Sequence, residues 1–127
     1  MARRAGAASP APGLTHLRVT FSDEFYIGPG RADLLEGIAA TGSISAAGKA
    51  MGMSYKRAWG LVQAMNEGWG GPLVETSRGG VGQGGTILTS DGEFVLARYR
   101  AMQAATRTAI AGDVAAVAKR LDMAGKK

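Results

Sequence analysis

The stretch Ser43–Trp59, SISAAGKAMGMSYKRAW, decides the fold. Ser45 is placed to cap a short helix carrying Ala46, Ala47, Gly48 and Met51 on its packing side, and Gly52 ends that helix about two turns later. Ser54 then caps a second, longer helix. Two helices that cross steeply through a turn of three or four residues need small residues where they approach and a glycine at the turn. Gly48 and Gly52 supply both, and Ala47, Met51, Met53, Ala58 and Leu61 provide the apolar contact between the pair. The pattern is that of a helix-turn-helix.

In such a unit the second helix directs its N-terminal residues into the DNA major groove while the first crosses the backbone. Ser54, Tyr55, Lys56 and Arg57 occupy that N-terminal end, where free backbone N–H groups and the helix dipole favour phosphate. Lys56 or Arg57 is suited to guanine O6 and N7, and spacing alone does not choose between them. Lys49, on the preceding helix, adds a phosphate contact or steers toward one. Along the second helix Ala58, Leu61, Val62, Met65 and Trp69 recur at intervals of three or four, a stripe that belongs in a core, and Trp59 beside Ala58 reads as core rather than contact.

Outward from this unit, Gly70-Gly71-Pro72 breaks the helix, and Leu73–Thr76 and Thr86–Leu88 read as strands flanking a glycine-rich loop. Arg78, Gly79 and Gly80 open that loop, whose missing side chains let a hairpin tip lie against a sugar-phosphate backbone, as a wing does. Gly80, Gly82 and Gly85 also spell GxGxxG. A dinucleotide site would require a helix where Thr86-Ile87-Leu88 reads as a strand, so the match is discounted. Thr89 caps a last, long helix in which Val95, Tyr99, Met102 and Ile110 form a stripe suited to pairing with a second copy, and Gly112-Asp113 is expected to end or bend it. Upstream, Leu17–Phe21 and Phe25–Ile27 suggest a hairpin, and a first helix is expected from Ala32 to Gly42.

The 127 residues carry a net charge of +5, are 46% hydrophobic and 20% charged, and contain no cysteine. The hydrophobic content fits a folded domain, and the charge favours polyanions. With no cysteine and one histidine, His16, expected to be exposed at a strand start, no metal site, cofactor or catalytic constellation is expected. No apolar run is long enough for a signal peptide or membrane span, which predicts a cytoplasmic protein that does not engage membranes. The expected organisation is a flexible basic leader over 1–15, a DNA-binding domain over 16–111 with its dimerisation helix from about residue 89, and a short helical extension and tail over 112–127.

The order Ser43-Ile44-Ser45, Gly52-Met53-Ser54-Tyr55-Lys56 with Ala58-Trp59, Met65-Asn66, Leu73-Val74-Glu75, Arg78-Gly79-Gly80, then Leu88-Thr89 with Gly92, resembles the N-terminal domain of ModE-type molybdate-responsive regulators over about residues 17–110, and more distantly the LysR-type winged helix. The resemblance implies a winged helix-turn-helix followed by a dimerising helix, acting on operators near molybdenum-related genes. By position, Ser54–Arg57 would begin the recognition helix and Arg78–Gly80 the wing. Members of that family sense molybdate through C-terminal oxyanion-binding domains, and this sequence stops about where those would begin, so direct molybdate binding is not expected. The expectation is therefore an α/β, mainly α, winged-helix regulator that binds double-stranded DNA as a homodimer. Its rivals are a non-specific architectural DNA binder and a protein-interaction module.

Overall fold

The computed structural model describes residues 13–77 and 85–125. In chain order these form β1 (Val19–Thr20), β2 (Tyr26–Ile27), α1 (Pro29–Thr41), α2 (Ile44–Ala50), α3 (Tyr55–Trp69), β3 (Val74–Ser77), β4 (Gly85–Leu88) and α4 (Ser90–Gly125). β1 and β2 pair antiparallel with Val19 opposite Ile27, and β3 and β4 pair antiparallel with Val74 opposite Leu88 and Ser77 opposite Gly85. The expected hairpin, the tri-helical unit and the wing strands are all present. Most of the proposed leader over 1–15 lies outside the described residues, and so does the loop over 78–84.

α1 starts three residues earlier than the apolar pattern indicates, because Pro29 occupies its first turn, where a missing N–H costs nothing. It ends at Gly42, whose φ of +73° suits a glycine and whose N–H bonds the Ile38 carbonyl. Ala32, Leu34, Leu35 and Ile38 are buried on α1, and Ala58, Val62 and Met65 on α3, with Leu73, Val74 and Leu88 closing the core from the wing strands. Trp69 departs from the expected stripe: it stays partly exposed, packs edge-on against Phe25, and donates its Nε1–H to Asp91 Oδ2 at 3.1 Å. His16 is exposed and precedes β1.

Thr89 caps α4 as read from the sequence, its Oγ1 accepting the Gly92 N–H at 3.0 Å while donating to the Pro72 carbonyl. A Cβ on Gly92 would run into the Leu73 carbonyl, so the helix start and the wing base meet at a position that only glycine fits. α4 then continues for 36 residues, about 54 Å at ~1.5 Å per residue, and Gly112-Asp113 neither ends nor interrupts it. The flanking alanines, Ala109, Ala111, Ala115 and Ala116, are the best helix formers and offset the ~1 kcal/mol disadvantage of one glycine.

Two of the four residues expected to pair with a second copy face inward instead. Val95 and Tyr99 belong to the core cluster of the chain itself. Tyr99 also donates its hydroxyl to the Leu17 carbonyl at 2.6 Å, tying α4 to the segment before β1. Burial raises the Tyr99 phenol above its usual value near 10.0, so it stays protonated and able to donate that bond. Met102 and Ile110 are half-buried. Arg100 anchors the other flank of α4 to α1 through Asp33 at 2.8 Å and Glu36 at 2.7 Å.

Candidate nucleic-acid interface

The interface begins with the crossing of α2 and α3. A Cβ on Gly48 would lie 2.8 Å from Ala58 Cβ and 3.4 Å from Met53 Cγ, so the two helices meet where Gly48 has no side chain. The turn between them closes through N–H groups of Met51 and Met53 donating to the Gly48 carbonyl and of Gly52 donating to Lys49, with Gly52 at φ +76°. The roles read for Gly48 and Gly52 from spacing are those they play. α2 starts earlier than expected: Ser43, and not Ser45, is its N-cap, accepting the Ala46 N–H at 2.9 Å. Its register is set by neighbours, since Ser43 N–H donates to Thr41 Oγ1 and the adjacent Gly42 carbonyl accepts the Thr86 N–H of β4.

Ser54 caps α3 by accepting the Arg57 N–H at 3.1 Å, fixing the helix start at Tyr55. Ala58, Val62 and Met65 turn inward, so the opposite face of α3 looks to solvent. Ser54, Tyr55, Lys56 and Arg57 are all exposed there, and Lys49 is exposed in the last turn of α2, on the other side of the Gly52 turn. The three cations thus sit on the two helix ends that flank the turn. Arg78, Gly79 and Gly80 lie outside the described residues, whose nearest wing position is Ser77, paired with Gly85.

Trp59 corrects the sequence reading. It is 39% exposed and stacks on Tyr55, itself 56% exposed, with ring centroids 6.5 Å apart and planes 14° from parallel. One turn of helix separates the two rings, so their stack runs along the exposed flank of α3. That flank forms one wall of a groove of about 440 Å³ whose other lining includes Ser43, Ser45, Thr76 and Thr86. Aromatic rings on one side and hydroxyls on the other make a trough between the helix pair and the wing base.

The start of β3, the strand that brings Thr76 to the trough, is tied to α3 by Asn66, which the sequence marks only as part of the Met65-Asn66 motif. Its Oδ1 accepts the N–H groups of Leu73 at 2.8 Å and Val74 at 3.2 Å, and its Nδ2 donates to the Val74 carbonyl at 3.1 Å. Three bonds from one side chain on α3 thus fix the start of β3. An amide four residues before a Gly-Gly-Pro break was the available signal, because such a break leaves strand-edge groups that a nearby carboxamide can satisfy. Among the described residues no cluster of three or more His, Cys, Asp or Glu is placed to hold a metal ion, and no helix is long and apolar enough to cross a membrane.

Residues 31–93 match the family of bacterial regulatory helix-turn-helix proteins of the lysR family. Over 78 residues the chain is 47% identical to the molybdenum-pterin-binding protein MopB of Rhodobacter capsulatus, a match covering 61% of this chain and 29% of that protein. Over 83 residues it is 39% identical to the DNA-binding transcriptional dual regulator ModE of Escherichia coli (strain K12), covering 65% of this chain and 32% of that one. A solved structure described as the CbnR_DBD-DNA complex matches with a TM-score of 0.54 at 25% identity, covering 68% of this chain and 95% of that one. The chain spans about a third of the length of the curated relatives it matches.

Proposed function

We propose that this chain, whose helix-turn-helix domain is of the LysR family in its ModE-like form, is a sequence-specific DNA-binding transcriptional regulator that acts as a homodimer. The observation that carries the reading is the exposed α3 N-terminus, Ser54–Arg57, standing beside the trough at the wing base. In this reading α3 enters the major groove, Lys56 or Arg57 meets a base edge, and Lys49 and the wing residues Arg78, Gly79 and Gly80 hold the backbone. The net charge of +5 favours the encounter with DNA. A cytoplasmic site of action and an operator near molybdenum-related genes follow from the same reading, the latter from the names of the relatives.

Pairing is supported by the far part of α4. Val117 and Leu121 are 69% and 68% exposed, and Met123 is exposed too. On a helical wheel Val117 and Leu121 continue the face that Val95, Tyr99 and Ile110 begin. The inward stripe of α4 therefore runs on past its own core, and a second α4 would cover it, with Met102 and Ile110 at the edge of that contact. Two recognition helices about 34 Å apart would then meet successive major grooves on one side of the duplex.

Titration against random and genomic duplex fragments across salt concentrations tests the reading. Specific fragments bind well above random ones at physiological salt, and Lys56→Ala lowers the slope of log affinity against log salt by about one. Equal affinity for all duplexes is the architectural outcome, and no binding to DNA is the outcome for a protein-interaction module. Added molybdate is expected to leave binding by this chain unchanged, and a molybdate-dependent shift overturns that part.

A further inference from the structure

Lys56 and Arg57 account for charge at the start of α3, but the next turn carries two further exposed residues, Trp59 and Gly60, which charge does not explain. Gly60 is exposed within the helix, and nothing lies within 4 Å of where its Cβ would be. A glycine inside a helix is less stable than alanine, and here no neighbour in the fold requires its smallness. An exposed tryptophan stacked on an exposed tyrosine likewise gains little from its own protomer. Both features gain a purpose if something outside the chain comes close to the helix backbone at this point. The flanking cations Lys49, Lys56 and Arg57 and the hydroxyls of Ser43, Ser45 and Thr76 match the phosphates and sugars of a duplex on either side.

We propose that the Tyr55–Trp59 stack and the notch at Gly60 read thymine in the major groove through its 5-methyl group. This inference rests on the DNA-binding reading and specifies its base chemistry. The thymine methyl is the one apolar mark on the major-groove edge of a base pair, and apolar side chains are what recognise it. At Gly60 the absent side chain lets the helix approach the bases, while the Trp59 ring supplies the apolar wall. Gln63 is exposed one turn beyond Gly60 and is of the type that pairs with adenine N6 and N7, so the same face offers groups for both halves of a T·A pair.

The test uses duplexes that the full chain selects from a random pool, remade with deoxyuridine in place of thymine one position at a time. One or two positions per half-site should bind about fourfold more weakly as deoxyuridine, the worth of one buried CH₂-sized group at ~0.8 kcal/mol and ~1.4 kcal/mol per tenfold. In Trp59→Ala the thymine and deoxyuridine duplexes should bind alike. Gly60→Ala should raise the thermal midpoint by about 2–8 °C, through the gain in helix propensity, and yet weaken binding to the selected duplex. A selected duplex indifferent to every deoxyuridine overturns the proposal, as does a deoxyuridine penalty that persists in Trp59→Ala, or unweakened binding by Gly60→Ala. Failure to select any sequence overturns the DNA-binding reading instead, so the two failures are distinct.

Discussion

α4 is one helix with two environments. From Ser90 to Gln103 its inner face carries Gly92, Val95, Tyr99 and Gln103, all buried against the same chain. From Ala104 to Gly125 no residue is buried, although Ile110, Val114, Val117 and Leu121 keep the inner face apolar. In proteins most helical stability comes from packing an amphipathic face rather than from intrinsic propensity. The two halves thus share a pattern and differ in what covers it. Periodicity reports that a face is to be buried; it does not report whether the cover comes from the same molecule.

Three variants probe that contrast. Tyr99→Ala strikes the covered half, removing a filled core site and the bond to the Leu17 carbonyl. It should lower unfolding stability by about 3–5 kcal/mol, measured by urea titration. A loss below ~1 kcal/mol would mean that the first half is not anchored as described. Val117→Asp with Leu121→Asp strikes the uncovered half and should leave each domain folded while converting dimers to monomers in sedimentation. Binding to a duplex with two half-sites should drop by about a hundredfold, with single half-site binding retained. A variant that still sediments as a dimer would remove the distinction between the halves. Arg100→Met should have the smallest effect, at most about 1 kcal/mol by urea titration, since its pairs with Asp33 and Glu36 are partly in solvent.

What the sequence disclosed and what it withheld divide along local and non-local causes. Gly48, Gly52, Ser54 and Thr89 are legible because each acts within about ten residues of itself, through a crossing point, a left-handed turn or a cap. The sequence points to Ser45 as the cap of α2 where Ser43 fills that place, because both serines suit the role. The choice follows from Gly42, which β4 holds through Thr86 some forty residues later. Trp59 was assigned to the core because it adjoins Ala58 in sequence, whereas one residue is 100° around a helix and carries the ring to the flank. Gly112 looked like a stop when weighed alone, and its alanine neighbours carry the helix through it. In α4, Val95 and Tyr99 read as part of a stripe for a second copy, and their cover is the chain's own core. Lys49, Lys56 and Arg57 are exposed, as helix position predicts, while the trough depends on strand placement that no short window encodes.

Asn66 carries a consequence for how this protein would tell one duplex from another. By clamping the start of β3 to α3, it ties the helix proposed to read the groove to the root of the wing, in the manner of a caliper. A caliper of that kind does not adjust to its object. A duplex whose groove is too wide or too narrow must itself bend or twist to be gripped, and the energy of that distortion depends on base steps that no side chain touches. If the proposed DNA complex forms, the amide clip would make the mechanical softness of the duplex part of what is recognised.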